Sequence, residues 1–242
     1  MSSAGYSPLD YLKFTDIDDV EEHFNTLSKL SDEDMLEYKV LLENLEEVNK
    51  KKVTKTKITQ GDNNTLQKGK ALENLVSFLW QKSGFFEVHD NIRNSTNEID
   101  QLVEFNFKGI MFEKFLPVNK TNSSFLVSEC KNYDKKISVT WVGKLYSLTC
   151  TNSSRFGFLF SFHGMAARGG WDSAIGLTKK LFLQKERLDE KISIIDFNIE
   201  DFRMISNGAN FLHLIKAKID SLILQTSVSD LISKHPAEED ET

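Results

Sequence analysis

The sequence predicts an α/β fold, a mixed central β-sheet flanked by helices and preceded by a helical arm. Three observations carry that prediction. Apolar residues recur every three to four positions in several long stretches, as amphipathic helices require. Short runs rich in Phe, Val and Ile come first as a meander and then alternate with helical stretches, which implies a mixed sheet between helices. The run Phe156–Phe162 is almost continuously apolar, the pattern of a strand covered on both faces.

The elements follow in order. From Ser7 to about Lys52 the pattern is helical, with Leu36, Val40, Leu41, Leu45 and Val48 as the expected apolar stripe among many charges. Ser31, followed by Asp-Glu-Asp, is expected to cap the second of two helices, the acids favouring the positive end of its dipole. Lys50–Asn64 is polar, ends in Gly-Asp-Asn-Asn and reads as a linker. Leu66–Lys82 is an amphipathic helix with the stripe Leu72, Leu75, Val76 and Leu79, Glu73 at its edge, and Ser83-Gly84 as its stop. Phe85–Ile92 and Glu98–Phe107 read as strands joined by a turn at Asn94-Ser-Thr-Asn97, and Phe125–Lys131 as a third. Ser138–Thr149 is a helix with Val139, Val142, Leu145 and Tyr146 inward. After Phe156–Phe162 and a glycine-rich break at 164–170 come a helix over Trp171–Arg187, a strand over Ile192–Phe197 and a helix over Asn207–Leu224. The organisation is therefore residues 1–60 as arm and linker, 61–233 as the main domain, and 234–242 as an acidic tail expected to be disordered.

Composition narrows the function classes. No apolar run approaches the roughly 20 residues that span a bilayer, and Met1–Leu12 lacks the pattern of a secretory signal, so a cytoplasmic location and no membrane partner are expected. Cys130 and Cys150 make no disulfide framework, and no Cys/His cluster has zinc-ligand spacing. The net charge of -6 argues against a nucleic-acid partner until its distribution is considered. Residues 1–60 hold 13 acids against 8 bases, whereas residues 61–233 hold 19 acids and 21 bases. The acidity lies at the ends, and the central part permits a nucleic-acid surface.

One short motif carries chemistry. In Ser128-Glu129-Cys130-Lys131, strand alternation puts Glu129 and Lys131 on one face and Cys130 on the other. With Asp100 and Glu73 in reach, such a group is able to hold a divalent cation and orient a water beside it. An E-x-K at a strand end is also common by chance, and alone it more often marks a solvated edge.

Taken together, Glu73 on a helix, Glu98-Ile99-Asp100 on a strand, Glu129-Cys130-Lys131 on the next and a helix after it resemble the PD-(D/E)xK nuclease superfamily, closest to Mrr-like restriction endonucleases. The likeness runs from about Lys68 to Ile205 and departs from the fuller pattern in having Glu-Ile rather than Pro before Asp100. It implies a restriction-endonuclease-like sheet and a Mg2+-dependent endonuclease acting on DNA, with Mn2+ as a substitute ion and restriction or antiviral defence as the setting. Asp100 and Glu129 would be the direct ligands, the Cys130 carbonyl a possible third, and Glu73 a supporting acid acting through a water. Lys131 would orient the attacking water or stabilise charge on the phosphate, and the general base is left open. The competing reading is a nuclease-fold module that binds nucleic acid or assembles with a protein partner without hydrolysis as its purpose.

Weaker candidates for substrate contact are Gln101, Asn132 with Tyr133, Lys144 and Arg168, each with a plainer alternative as a polar strand residue, a turn, a solvated lysine or a loop connection. Trp80 and Trp171 read as core or interface aromatics. The acidic arm is expected either to dock on a protein partner or a second copy of the chain, or to pack on its own domain.

Overall fold

The computed structural model describes residues 17–50, 63–93, 98–118, 125–167, 173–187 and 190–225. Two arm helices, α1 (Ile17–Ser28) and α2 (Asp32–Lys50), precede a long α3 (Asn63–Lys82). Then come β1 (Phe86–Arg93), β2 (Glu98–Phe105), a short α4 (Phe107–Met111), β3 (Phe125–Cys130), α5 (Val139–Thr151) and β4 (Phe156–Phe160). The remainder is α6 (Ala174–Leu183), β5 (Ser193–Phe197), α7 (Ile199–Ser206) and α8 (Phe211–Leu224). The strands form one five-stranded sheet in the order β1-β2-β3-β4-β5. The first three pair antiparallel, and β4 and β5 add in parallel. This is the mixed sheet flanked by helices that the sequence predicts.

The sheet divides the interior into two cores. On one side Leu126, Cys130, Phe158, Phe160, Ile195 and Phe197 face α3, α7 and α8. On the other Val127, Leu159 and Ile194 face α5, whose Val142, Leu145 and Leu148 are buried against them. Alternation along β3 thus sends Leu126, Ser128 and Cys130 to the α3 side and Val127 and Glu129 to the α5 side. Trp80 is fully buried, with Phe86, Phe158 and Phe211 edge-on at 5.1, 4.9 and 5.0 Å, geometry that aromatic quadrupoles favour. Gly157 lets α5 sit close on β4: a Cβ there would lie 2.6 Å from Thr149 Oγ1.

The arm packs on its own domain, one of the two expected outcomes. Phe24 stacks on Phe85 at 5.1 Å, the Tyr38 hydroxyl donates to the Phe202 carbonyl at 2.8 Å, and Arg203 pairs with Glu46 at 2.9 Å. Ser31 caps α2 as expected, accepting from the Asp34 amide at 3.1 Å. The stripe of α2 is corrected, however. Its buried residues are Tyr38, Leu42, Leu45 and Val48, while Leu36 and Val40 are 68% and 64% exposed. At about 100° per residue, Leu36 and Val40 lie roughly 160° from Tyr38, on the far side of the helix.

Other boundaries also differ from expectation. In α5 Val139 is exposed and Leu148 and Thr149 complete the buried face instead. The second strand ends at Phe105, because Asn106 caps α4 through an acceptance from the Gly109 amide. Helix α7 stands where no helix is expected, started by a capping box between Asn198 and Asp201. Most of the linker, the 94–97 turn, Trp171 and the acidic tail lie outside the described residues, as does the expected start of the arm. No described helix is long and apolar enough to cross a membrane.

Candidate functional site

Antiparallel pairing sets Gln101 opposite Ser128. The same register extended by one residue brings Asp100 opposite Glu129, both on the α5 face of the sheet. Lys131 follows directly after β3 and turns its ammonium between the two acids, 2.7 Å from Asp100 Oδ2 and 2.9 Å from Glu129 Oε1. From α5, Lys144 reaches the same Glu129 oxygen at 3.0 Å. Asp100 also accepts the Cys130 amide at 2.9 Å, which ties the end of β2 to the end of β3. Glu129 and Lys131, put on one face by alternation, and Asp100, added by the resemblance, therefore meet, and Lys144 joins them.

The electrostatics are those of a half-enclosed ion-pair cluster. Glu129 is 1% exposed, and its second oxygen, Oε2, is buried without a hydrogen-bond partner among the described residues. Burial alone would disfavour the Lys131 ammonium, but the Glu129 and Asp100 carboxylates outweigh it and hold its pKa above the ordinary lysine value. In this arrangement Lys131 is an ammonium at neutral pH, a donor of charge and hydrogen bonds. The Cys130 thiol, on the opposite face, is pushed well up by burial and by the nearby Asp100 and Glu73 carboxylates, so it is no thiolate nucleophile.

Trp141, one turn before Lys144 on α5, was not among the residues named from the sequence. Lys131 and Lys144 stand over its ring at 5.0 and 5.1 Å from the centroid. An aromatic three positions before a lysine on one helix face was the available signal.

The remaining sequence-predicted residues are placed elsewhere. Glu73 belongs to α3, on the other side of the sheet, where its carboxylate lies 3.6 Å from Lys70. Among the described residues it makes no ion pair or hydrogen bond with Asp100, Glu129 or Lys131; a water would have to bridge any link. Gln101 is fully buried and does not line a surface. Its amide nitrogen lies 2.6 Å from Ser77 Oγ, 3.2 Å from the Glu73 carbonyl and 3.3 Å from the Asp90 carboxylate. Its oxygen accepts from the Ser128 hydroxyl at 3.1 Å. It orders the ends of β2 and β3 against α3 from beneath, so the expected substrate contact is corrected to a core role. Asn132 is likewise buried and donates to the Lys68 carbonyl at 2.8 Å. Next to it the buried Lys68 ammonium pairs with Asp134. Together they pin the loop after β3 to the start of α3. Arg168 lies outside the described residues.

A hard divalent cation fits part of this donor set. Two carboxylates share one face, and the partnerless Glu129 Oε2 offers the kind of anionic oxygen a cation seeks. Among the described residues no group of three or more His, Cys, Asp or Glu side chains is arranged to hold a metal ion. An ion held here would therefore keep several waters, as Mg2+ commonly does. Comparison with known proteins gave no match, whether to family models, to curated proteins or to solved structures.

Proposed function

We propose that this chain is a Mg2+-dependent endonuclease hydrolysing phosphodiester bonds of DNA. The observation that carries the reading is the meeting of Asp100, Glu129 and Lys131 at the ends of adjacent strands, with one buried carboxylate oxygen left unpartnered. Phosphodiester cleavage needs a positioned water and relief of the negative charge that builds on phosphate and leaving oxygen. Asp100 and Glu129 would hold the ion, the Cys130 carbonyl would be the third donor the sequence resemblance implies, and Mn2+ would substitute for Mg2+. A bound Mg2+ supplies Lewis-acid polarisation and acidifies its waters.

The rest falls to the chain's own residues. Lys131, as an ammonium, donates to an oxygen of the reacting phosphate or positions the water, and Lys144 neutralises charge on the α5 side. Trp141 keeps both ammonium groups on the site. A role in restriction or antiviral defence comes from the sequence resemblance and from nothing in the geometry.

Incubation of duplex plasmid and of single-stranded circular DNA with Mg2+ or Mn2+ tests the reading on DNA of either form. The parent is expected to cut one form or both, and Asp100→Ala and Lys131→Ala to cut at least about 100-fold more slowly, the usual cost of losing one charge-stabilising group. Equal cutting by parent and variants, or none by the parent, defeats it.

The ion pairs also favour a second reading. Lys131 and Lys144 already neutralise Asp100 and Glu129, as they would in a module that binds nucleic acid or a protein partner and does not cut. Calorimetric titration with Mn2+ separates the two, since heat of binding lost in Glu129→Gln belongs to the nuclease alone.

A further inference from the structure

Beside the ion-pair cluster runs a groove of about 350 Å3, lined by Tyr133, Lys135, Lys136, Ile137, Ser138 and Trp141. Its base is held rigidly. Asn132 and Asp134 fasten one end of the loop to α3, and a parallel bridge between Ile137 and Met165 fastens the other. Lys135 and Lys136 are exposed and make no ion pair among the described residues. Ser138 begins α5 without its hydroxyl capping the helix. The rings of Tyr133 and Trp141 are half-buried, 5.8 Å apart and inclined at 38°. The Trp141 ring is engaged by the Lys131 and Lys144 ammonium groups; Tyr133, half-buried against Trp141, lines the groove beside it.

Lysines alone would serve a duplex, whose phosphates face outward and whose bases are stacked on one another. An aromatic ring among them is useful only to a base that has left its stack. We infer, resting on the nuclease reading, that this groove takes an unpaired nucleotide next to the cleaved bond. Its base stacks on Tyr133 and its flanking phosphates meet Lys135 and Lys136. The preferred ligand is then a single strand or a frayed end, in place of an intact duplex.

The test is binding without turnover. Fluorescence anisotropy in EDTA compares a labelled single strand of about 20 nucleotides, enough to span several ssDNA site sizes, with the same strand in a blunt duplex. Single-strand affinity is expected to exceed duplex affinity and to fall about 5- to 150-fold in Tyr133→Ala, the range of one lost base stack. Tyr133→Phe, which keeps the ring, should bind as the parent does. Lys135→Gln with Lys136→Gln, both at exposed positions, should lower the salt slope of single-strand binding by about 1.4.

Equal affinity for strand and duplex, or equal binding by Tyr133→Ala and Tyr133→Phe, overturns the groove assignment whether or not the protein cuts DNA. An unchanged salt slope in the double lysine variant does the same. Ring-dependent strand preference in a protein that fails to cut with Mg2+ or Mn2+ supports the groove and defeats the nuclease reading alone.

Discussion

Removing Lys131 should destabilise the fold far more than removing Lys144, and a divalent cation should restore much of the loss. Lys131 is 14% exposed and touches both acids, whereas Lys144 is 40% exposed and touches only Glu129. Lys131→Met leaves Asp100 facing Glu129 across the strand pair with one partly solvated ammonium to serve them. Stripping a partner from a buried charge costs about 3–5 kcal/mol. Lys144→Met removes a half-solvated pair worth about 0.2–1 kcal/mol. In a chain of this size the first corresponds to a fall in melting temperature of roughly 6–20 °C and the second to no more than about 4 °C. Mn2+ would take the place of the lost ammonium in Lys131→Met, whereas in the parent it competes with that ammonium for the same oxygens. At a hundred times its Kd the ion adds about 2.7 kcal/mol. Urea denaturation and thermal melts of the parent and both variants, in EDTA and in Mn2+, measure every quantity. Equal losses in the two variants, or no ion-dependent gain in Lys131→Met, would show that these acids are not a cation-binding pair and would refute the electrostatic argument.

Other expectations follow from the packing. Gln101→Leu strands the Ser128 hydroxyl and the Ser77–Asp90 pair below the site and should cost about 1–3 kcal/mol by urea titration; a change within experimental error would deny Gln101 its ordering role. Gly157→Ala forces a methyl group to within 2.6 Å of Thr149 Oγ1, with an overpacking cost of about 1–3 kcal/mol, and double substitution with Thr149→Ser should recover little because the oxygen remains. Deleting residues 1–50 exposes the surfaces of α3 and α7 that Tyr38, Leu42 and Leu45 cover. The truncated chain is expected to lose cooperative melting by circular dichroism, and a sharp transition at the parent's temperature would mean that the arm is dispensable for folding. Trp141→Leu frees two ammonium groups from one ring and should cost about 1–2 kcal/mol in melting experiments; the same cost in a background where Lys131 and Lys144 are already Met would deny the cation–ring contact.

Where one periodicity dominated, the fold was legible. All five strands lie within two residues of their expected ends, because β3, β4 and β5 are near-continuous buried runs and β1 and β2 are bracketed in the sequence by glycine or polar residues. Helix α3 was equally plain, with Leu72, Leu75, Val76 and Leu79 at most 1% exposed. The arm was harder because Tyr38 joins its apolar face through a buried ring and a hydroxyl that finds Phe202, so a stripe of aliphatic residues is right at Leu45 and Val48 and drifts off the face at Leu36 and Val40. Helix α7 is only two turns long, yet Asn198 and Asp201 spell a capping box that was available to be read. For the candidate site, strand alternation joined Glu129 and Lys131, the family resemblance added Asp100, and the β2–β3 register puts all three together. Which face of the sheet α3 would cover is a three-dimensional property, and for that reason the side of Glu73 and the burial of Gln101 could not be foreseen from spacing.

The buried amide of Gln101 has a consequence for how the chain chooses its pairing. A slip of β2 by one residue would exchange neighbours, turning Asp100 inward beneath α3 and Gln101 outward toward α5. The slip would also take Val103 and Phe105 out of the core beneath α3 and turn Leu102 and Glu104 into it. The hydrogen bonds that Gln101 makes to α3, β1 and β3 exist in one alignment only. A carboxylate in its place would be buried without a cation. The amide therefore favours the one register in which Asp100 and Glu129 share a side of the sheet.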